Sequence, residues 1–283
     1  MKKIEVDAYA KINLSLDVLN RREDGYHELE MIMQQLALKD VITIEERESG
    51  FSIDSNSKDI PLDSSNLVYK AYSIIKEKFN INRGIHIYIE KNIPIAGGLA
   101  GGSTDAAAVL KGLNILWGLN LSEEQLMNIG VKIGADVPYC IMGGTALAKG
   151  IGERLTRLKS FSDRLILIAN PGFSVSTAYV YNNLKLDKIT DRPKTQLLLR
   201  YIEDGNTELL AKGMKNVLET VTIKENPILD EIKKQMIRHG ALGSLMSGSG
   251  PTIFGIFDNP ESMEMCKENL KYTIKTVLST KTV

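Results

Sequence analysis

The sequence predicts an α+β fold divided into two domains. Three observations lead to this prediction: apolar and polar residues alternate near the start of the chain, a glycine-rich loop runs straight into a helix-forming stretch, and helical and strand patterns follow one another to the end. The chain has 283 residues, of which 43% are hydrophobic, so it can form one large core or two modest ones, and its length favours two. We predict domains at residues 1–160 and 161–283.

Strands dominate the first hundred residues of this prediction. The alternation that is typical of a half-buried strand runs through Ile12, Leu14, Leu16 and Val18. Further strands are predicted at residues 28–36, 41–45 and 86–90. One helix is predicted from about Asn66 to Phe79, with its start capped by the cluster Asp63-Ser64-Ser65.

Helical and strand patterns mix in the rest of the chain. Ser122 to Gln125 forms a capping box, and Asp136-Val137-Pro138 is typical of a helix start because it has Asp followed by Pro in the first turn. A hairpin is predicted at residues 143–158, and strands at 164–170, 241–257 and 276–283. Helices are predicted at residues 195–203, 208–220 and 227–239.

Charge and cysteine content exclude several classes of protein. Lys plus Arg and Asp plus Glu number 35 each, so no global field attracts a nucleic acid or an anionic membrane, and neither is expected as a partner. The two cysteines, Cys140 and Cys266, supply no zinc ligand set or disulfide framework. No apolar run of about 18 residues occurs, and no leader is expected before the first motif at Tyr9. We therefore expect a cytoplasmic protein with a small-molecule ligand.

The segment Gly97 to Gly102, followed by Ser103, is the sharpest functional signal. Its glycines leave backbone N–H groups unobstructed, and the helix that follows directs its positive end at whatever those groups bind, which indicates phosphate. The segment is neither a P-loop nor a dinucleotide-binding motif, because it lacks the Lys-Ser or Lys-Thr pair of the former and the G-x-G-x-x-G spacing of the latter. The alternative is a flexible connector, which the immediate helix-forming run disfavours.

A second small-residue loop and two charged residues are candidates with simple alternatives. The loop Ser247 to Thr252 can approach a phosphate or form a tight hairpin, and alone it does not distinguish the two. Lys11 interrupts a strand pattern among small residues, although a lone lysine is usually solvated. Asp136 can be explained as an N-cap. Two glycine-containing loops in one chain favour a shared polyphosphate.

Four motifs are spaced along most of the length of the chain. They are Ala8-Tyr9-Ala10-Lys11-Ile12-Asn13-Leu14, Pro94 to Ala108, Gly134-Ala135-Asp136-Val137-Pro138 and Ser247-Gly248-Ser249-Gly250-Pro251. Together they resemble the GHMP kinases, a superfamily that includes galactokinase, homoserine kinase and mevalonate kinase. Within it, the whole chain is similar to the branch that phosphorylates CDP-methylerythritol on its 2-hydroxyl in the non-mevalonate isoprenoid route.

This resemblance implies the architecture, the ATP site and the catalytic pair. The implied domains are an N-terminal ATP-binding domain like domain 2 of ribosomal protein S5 and a ferredoxin-like C-terminal domain, with the active site between them. Asp136 would take the proton from the substrate hydroxyl while Lys11 holds that hydroxyl, which suits phosphoryl transfer. The implied ATP contacts are Pro94, Ile95, Ala96, Gly97, Gly98, Leu99, Ala100, Gly101, Gly102, Ser103 and Thr104, with Asn66 near the adenine.

The resemblance also implies a substrate site. Tyr26 would stack on the cytosine and His27 would bind its polar edge, which gives base selectivity because stacking alone tolerates any base. Tyr181 falls where the family has a second stacking aromatic, although Tyr179 is nearby. The remaining implied substrate contacts are Asn13, at the erythritol end, and Gly248.

Small departures from the family pattern concern the loop and the metal. Ala96 and Ala100 stand where many relatives have glycine, and their methyl groups lead us to expect negative φ at both positions. Thr104 replaces serine. Mg²⁺ is expected with ATP. No carboxylate is assigned to it, and Ser103 is a candidate contact, direct or through water.

Two rival functions remain open on the sequence. The first is a GHMP kinase that acts on another alcohol, such as homoserine, mevalonate or a sugar. Tyr26 and His27 would then have no evident role, because no cytosine would be bound. A catalytically silent binding protein on the same fold is the rival from another class, because folds do not determine functions. The pairing of Lys11 with Asp136 in the family pattern disfavours it.

Overall fold

The computed structural model describes residues 2–283. Within that range it has eleven strands and ten α-helices, with a 3₁₀ turn at Leu186–Lys188. The strands are β1 (Lys3–Arg21), β2 (His27–Arg47), β3 (Phe51–Ser55), β4 (Gly84–Glu90), β5 (Thr145–Gly150), β6 (Arg154–Arg157), β7 (Leu165–Asn170), β8 (Lys215–Asn216), β9 (Gly243–Met246), β10 (Ile253–Phe257) and β11 (Thr276–Lys281). The helices are α1 (Leu67–Lys78), α2 (Gly101–Leu116), α3 (Glu123–Gly130), α4 (Val137–Met142), α5 (Thr177–Asn183), α6 (Thr195–Glu203), α7 (Thr207–Gly213), α8 (Glu219–Glu225), α9 (Ile228–Arg238) and α10 (Pro260–Lys271). The α+β class predicted from the sequence is confirmed.

The chain divides into two compact units that are not contiguous in sequence. Unit 1 comprises Leu38–Ile95, Ala100–Gly143 and the described part of Met1–Ala10. Unit 2 comprises Lys11–Ala37, Ala96–Leu99 and Gly144–Val283. The two long strands β1 and β2 therefore each contribute residues to both units. The domain boundary that we place at residue 160 stays a prediction.

Unit 1 packs helices against a mixed sheet. Strand β4 pairs antiparallel with β2 between Val41 and Arg47 and parallel with β3. Helix α2 packs closely on this sheet at Gly112, where an added Cβ would lie 2.5 Å from Ile44 Cδ1 and 3.2 Å from Val6 Cγ2. Because glycine has no side chain, the apolar helix approaches the strands closely here. This close packing fixes the position of α2, and thus of its first residues, relative to the sheet.

Unit 2 is built on antiparallel pairing around β7. Strands β11 and β10 flank β7, and β9 pairs with the far side of β10. Helices α9 and α10 pack on this sheet. In the same unit β5 pairs antiparallel with the first part of β2, and the two-residue strand β8 lies parallel to β1, with Ser15 opposite Lys215 and Leu16 opposite Asn216. This last pairing holds the part of β1 that follows Lys11 and Asn13.

Most predicted elements are confirmed, but several boundaries are wrong. The strands predicted at 28–36 and 41–45 are one continuous strand, β2, because the intervening residues contain no Gly or Pro to break it. Helix α1 is capped by Asn66, whose side chain accepts from Val68 N. The predicted capping residue Asp63 instead accepts from Ser65 within its own turn.

The helix predicted at 208–220 is also wrong. It ends at Gly213 and gives way to β8, and α8 begins only at Glu219. The pairing of β8 with β1 is a contact between distant parts of the chain, so local helical spacing could not reveal it. Helix α10 is missing from the prediction, although Asn259 followed by Pro260 is a recognisable helix start and Asn259 does cap it.

No helix in the part of the chain that the structure describes combines the length and apolar character needed to span a membrane.

Candidate active site

Lys11 lies buried in unit 2, on β1, with 4% of its surface exposed. Its ammonium donates to Asn13 Oδ1 at 2.8 Å, and its backbone N–H donates to Leu99 O at 3.2 Å. A buried lysine is costly unless it is hydrogen-bonded. Lys11 is therefore not the solvated surface residue that the simple interpretation assumed, and it is bonded directly to the glycine-rich loop.

The second glycine-containing loop meets Lys11 through Asn13. Asn13 Oδ1 also accepts from Gly248 N at 3.1 Å, and its amide donates to Met31 Sδ at 3.2 Å. Gly248 has φ of 56°, and a Cβ there would lie 3.6 Å from Lys11 Nζ. Asn13 and Gly248, two predicted substrate contacts, thus lie together with Lys11 in unit 2.

Asn216 supports the second loop, and no pattern in the sequence indicates it. Its amide donates to Met246 O and to Gly248 O, both at 2.8 Å, while its Oδ1 accepts from Leu218 N at 3.0 Å. Asn216 is buried; its bond to Gly248 O holds the loop itself, and its bond to Met246 O holds the end of β9 that leads into the loop. A lone asparagine in the sequence cannot reveal such a structural support.

The two glycine-containing loops touch within unit 2. Ser247 Oγ donates to Gly98 O at 2.9 Å. Gly98 has φ of 74°, and a Cβ there would lie only 2.2 Å from Ser247 O. Glycine is required at this position both for the backbone conformation and for the close approach. The contact supports the prediction that the loops serve one polyphosphate.

The expectation of negative φ at Ala96 and Ala100 is wrong. Their φ angles are 53° and 60°, in the left-handed region. This conformation costs an alanine on the order of 1 kcal/mol, and it persists only where surrounding structure determines it. Strained backbone of this kind clusters at functional sites, so its occurrence twice in the loop fits a ligand-binding role.

The part of the loop that belongs to unit 1 forms the start of α2. Ala100 is the N-cap, and its side chain supplies no capping hydrogen bond, so the first N–H groups of α2 are not capped by a side chain at that position. Thr104, in the first turn, donates its hydroxyl proton to Tyr9 O at 2.8 Å and ties the helix start to β1. A helix of 16 residues with N–H groups at its start is suited to binding an anion.

Beneath this helix start lies a buried charge cluster formed by Asp40, Lys91 and Asp105. Lys91 Nζ bonds to Asp40, and it donates to Asp105 Oδ2 at 2.8 Å. Asp40 also accepts from the backbone N–H of Ile93 at 2.8 Å. The cluster joins β2, the segment before the loop and the N-terminal part of α2. Lys91 Nζ would lie 3.3 Å from a Cβ at Gly101, so it lies against the loop as well.

The cluster has one cation for two carboxyl groups. Burial raises the pKa of Asp105 to about 7, the charge of Asp40 adds to the rise, and Lys91 opposes it. Burial alone would lower the pKa of Lys91, but the charges of Asp105 and Asp40 outweigh it and raise the pKa. Asp105 Oδ1 has no hydrogen-bond partner among the described residues. A proton on Asp105 would relieve the excess negative charge.

Asp105→Asn is expected to make unfolding less dependent on pH. The folded pKa of Asp105, about 7, lies above its unfolded value of 3.8, so its contribution to stability is present below about pH 4 and is lost as pH rises to about 7. The variant, which stays neutral, should gain at least about 1 kcal/mol relative to wild type between those pH values. Urea unfolding at pH 5, 6, 7 and 8 measures this. A constant difference at all four values would contradict the assignment.

Asp136 lies in unit 1 at the N-cap position of α4, as predicted, with Pro138 in the first turn. Its backbone is helical, with φ of −82° and ψ of −14°, and within the described chain its carboxylate does not cap α4. The simple N-cap interpretation therefore does not account for an aspartate here. Lys111 of α2 bonds to helix α4: its ammonium donates to Cys140 O at 3.3 Å.

An aromatic pair forms in unit 2 between two predicted substrate residues. The rings of His27 and Tyr181 lie 5.1 Å apart at their centroids, with 36° between their planes. Tyr26 is 59% exposed and thus accessible to a ligand. Burial, and next the charge of Arg21, lower the pKa of His27, which favours the neutral ring at pH 7. By contrast, the Tyr179 hydroxyl donates to Glu225 at 2.8 Å.

Asn66 has its side chain engaged at both ends. Oδ1 caps α1 through Val68 N at 3.1 Å, and Nδ2 donates to Pro61 O at 2.8 Å. These bonds account for the residue without a ligand. Its predicted place near the adenine stays a prediction.

Two family models match this chain. The first, GHMP kinases N terminal domain, matches residues 66–144, and the second, GHMP kinases C terminal, matches residues 198–275. The first covers the loop 94–104 and Asp136, and the second covers Asn216 and the loop at Ser247. Together they cover more than half of the chain.

Curated relatives match over nearly the full length. A protein of Acetivibrio thermocellus named 4-diphosphocytidyl-2-C-methyl-D-erythritol kinase is 51% identical over 271 residues, which is 96% of this chain and 96% of the relative. A protein of the same name from Alkaliphilus oremlandii is 54% identical over 277 residues, which is 97% of this chain and 95% of the relative.

Solved structures have the same fold. A crystal structure of 4-(cytidine 5'-diphospho)-2C-methyl-D-erythritol kinase is similar with a TM-score of 0.85 and 32% identity, and the match covers 99% of each chain. A homoserine kinase from Cytophaga hutchinsonii matches with a TM-score of 0.79 over 100% of this chain and 95% of its own, at 21% identity. The second likeness concerns the fold alone.

Proposed function

Because the chain belongs to the 4-diphosphocytidyl-2-C-methyl-D-erythritol kinase family of the GHMP kinases, we propose that it phosphorylates the 2-hydroxyl of that CDP-linked alcohol. It is an ATP-dependent small-molecule kinase. The products would be the 2-phosphate and ADP, within the non-mevalonate route to isoprenoid precursors. The observation that carries the substrate assignment is identity at about half of all positions, over nearly the full length, with relatives named for that substrate.

ATP would bind with its phosphates on the loop 94–104. Three features support this placement: the left-handed alanines, the start of α2 with its N–H groups, and the contact between Gly98 and Ser247. Backbone N–H groups at a helix start stabilise the phosphate charges without a nearby lysine of the P-loop kind. The catalytic advantage would come from positioning and from charge stabilisation, as is general for phosphoryl transfer.

Asp136 would act as the general base and Lys11 would hold the reacting hydroxyl. As the hydroxyl oxygen attacks the γ-phosphorus, its proton passes to the Asp136 carboxylate, and the bond from phosphorus to the bridging oxygen of ADP breaks. Support for Lys11 is its burial and its fixed geometry, because Asn13 orients the ammonium at 2.8 Å. Both roles are carried over from the family motifs.

The cytosine would bind at the aromatic pair. Tyr26 is accessible for stacking, and His27, neutral at pH 7, can donate and accept at the polar edge of the base. Tyr181, not Tyr179, is proposed as the second stacking residue, because its ring lies beside His27 while Tyr179 is bonded to Glu225. Asn13 and Gly248 would contact the alcohol near Lys11.

Mg²⁺ would accompany ATP. Within residues 2–283 no group of three or more His, Cys, Asp or Glu side chains could hold a metal ion. In kinases Mg²⁺ takes most of its ligands from phosphate oxygens and water. Ser103 stays the proposed protein contact, and bound Mg²⁺ would neutralise phosphate charge. A cytoplasmic location, with no nucleic acid or membrane partner, completes the proposal.

ADP release with several alcohols tests the substrate. Wild type is assayed with ATP and Mg²⁺ against CDP-methylerythritol, homoserine, mevalonate and galactose. We expect turnover with the CDP-linked substrate alone, and loss of about tenfold or more in kcat/KM for it in His27→Ala, because buried polar edge contacts discriminate strongly. The KM for ATP should not change in that variant.

The other outcomes identify the rivals. Turnover with another alcohol would leave the assignment as a kinase intact but would contradict the proposed substrate. ATP binding without turnover of any alcohol would favour a silent binding protein.

A further inference from the structure

The stretch from Tyr181 to Lys194 has little apolar anchoring. All of its residues are described by the structure, and none of them is buried. Helix α5, which carries Tyr181, buries Val180 alone. A surface segment without buried apolar contacts opens easily unless polar contacts hold it. Leu184, Leu186 and Ile189 are only half-buried, so polar contacts contribute to keeping the Tyr181 side of the aromatic pair in place.

Arg192 supplies such contacts from within this segment. Its Nη1 donates to Asp17 Oδ1 at 2.6 Å and to Val18 O at 3.0 Å, and its Nη2 donates to Leu186 O at 3.3 Å. Asp17 and Val18 lie in β1, and Leu186 lies in the 3₁₀ turn just after α5. The guanidinium thus bonds the strand to the segment that follows Tyr181, with the rigid planar fork that only arginine has.

Asp17, the partner of Arg192, is buried and fully hydrogen-bonded on one carboxylate oxygen. It is 5% exposed, and its carboxylate also accepts from Val18 N at 2.8 Å. Burial raises the pKa of Asp17, while the charge of Arg192 acts in the opposite direction. A buried carboxylate that loses its cation is strongly disfavoured, so the pair resists separation.

The other side of the aromatic pair has its own support. Strand β1 leads through a turn to Tyr26 and His27, and Arg22 in that turn bonds to Asp24 at 2.9 Å and to Glu28 at 3.1 Å. These ion pairs fix the turn but do not reach α5. Arg192 relates the strand before this turn to the segment after Tyr181, and next to it Asp191 pairs with Lys215 of β8, the strand beside β1.

We propose that Arg192 is a positioning residue for the nucleobase site, which holds the Tyr181 segment against β1 so that Tyr181 stays beside His27. The inference rests on the proposed function, since it assumes that these aromatics bind cytosine. Arg192 itself touches no reacting atom. Its loss should weaken binding of the CDP-linked substrate and leave ATP binding and chemistry alone.

Arg192→Met and Arg192→Lys test the role, with Arg83→Met as the matched control. Arg83 Nη1 pairs with the buried Glu46 at 3.0 Å, so the control also removes an arginine from a buried carboxylate, in unit 1. Kinetics are measured for both substrates, the Kd of CDP-methylerythritol is measured by calorimetry without ATP, and backbone amide exchange is followed over residues 184–194.

In Arg192→Met we expect KM and Kd for the CDP-linked substrate to rise about tenfold, with kcat and the KM for ATP within about twofold of wild type. For Arg192→Lys, KM and Kd for the CDP-linked substrate should lie between those of wild type and Arg192→Met, because one ammonium cannot bond both β1 and the segment as the guanidinium does. Exchange over 184–194 should accelerate in Arg192→Met and not in Arg83→Met. The control should leave both KM values unchanged.

An equal rise in both KM values, or the same loss in Arg83→Met, would overturn the proposal in favour of general stability. Unchanged binding of the CDP-linked substrate would overturn it as well. If wild type phosphorylates a different alcohol, the proposed function fails, and the amide exchange then decides whether Arg192 holds the segment: unaltered exchange in Arg192→Met would show that it does not.

Discussion

Asp136→Asn should lower kcat by about a hundredfold or more while leaving the KM for ATP within about twofold. The amide has the size of the carboxylate but cannot take a proton from the attacking hydroxyl. The remaining activity would come from the positioning of the substrates and from stabilisation of phosphate charge by the loop. ADP release at saturating CDP-methylerythritol and ATP measures the effect.

Asp230→Asn is the matched control for that variant. Asp230 lies in the first turn of α9, is 45% exposed and pairs with Lys234, so it is also a carboxylate near a helix start. Its replacement should leave kcat unchanged. If Asp136→Asn lowers kcat by less than about threefold, Asp136 is not the base, because general-base removal costs far more.

Lys91→Met should cost about 3–5 kcal/mol in the free energy of unfolding, because it leaves two buried carboxyl groups without their shared cation. Side-chain exposure is 5% for Lys91, 0% for Asp40 and 4% for Asp105, so water cannot replace the lost bonds. The methionine fills nearly the same volume, which separates the loss of charge from the loss of packing. Urea unfolding of both proteins at pH 7 measures the difference.

Lys39→Met provides the comparison for Lys91. Lys39 pairs with Asp7 at 2.6 Å, but its side chain is 40% exposed. Exposed pairs contribute about 0–1 kcal/mol, so this variant should lie close to wild type. Equal effects of the two substitutions would mean that burial of the charge cluster does not matter to stability.

Local patterns were enough to predict much of the fold and the loop. Period-two alternation predicted β1, the capping box at Ser122 predicted α3, and glycine followed by helix formers predicted the loop that runs into α2. Each of these patterns consists of residues that are close together in the sequence, so it can be recognised without knowing the tertiary contacts. The confirmed place of Asp136 at a helix start is of the same kind.

What the sequence could not predict depends on pairs that are far apart in the chain. Asp40 and Lys91 are separated by 51 positions, and Asp17 and Arg192 by 175. Asn216 and the short strand β8 acquire their roles only when β1 lies beside them. The φ angles of Ala96 and Ala100 are imposed on alanine by the surrounding loop, against its own preference.

The bond from Gly248 N to Asn13 Oδ1 spans 235 positions of the chain, and this has a consequence for synthesis on the ribosome. Asn13 emerges among the first residues, but its partner is translated near the end. Contacts of such long sequence separation form late and slow folding. The surroundings of Lys11 are therefore incomplete for most of translation, and a nascent chain that stalls before residue 248 lacks the bond that fixes Asn13 beside Lys11.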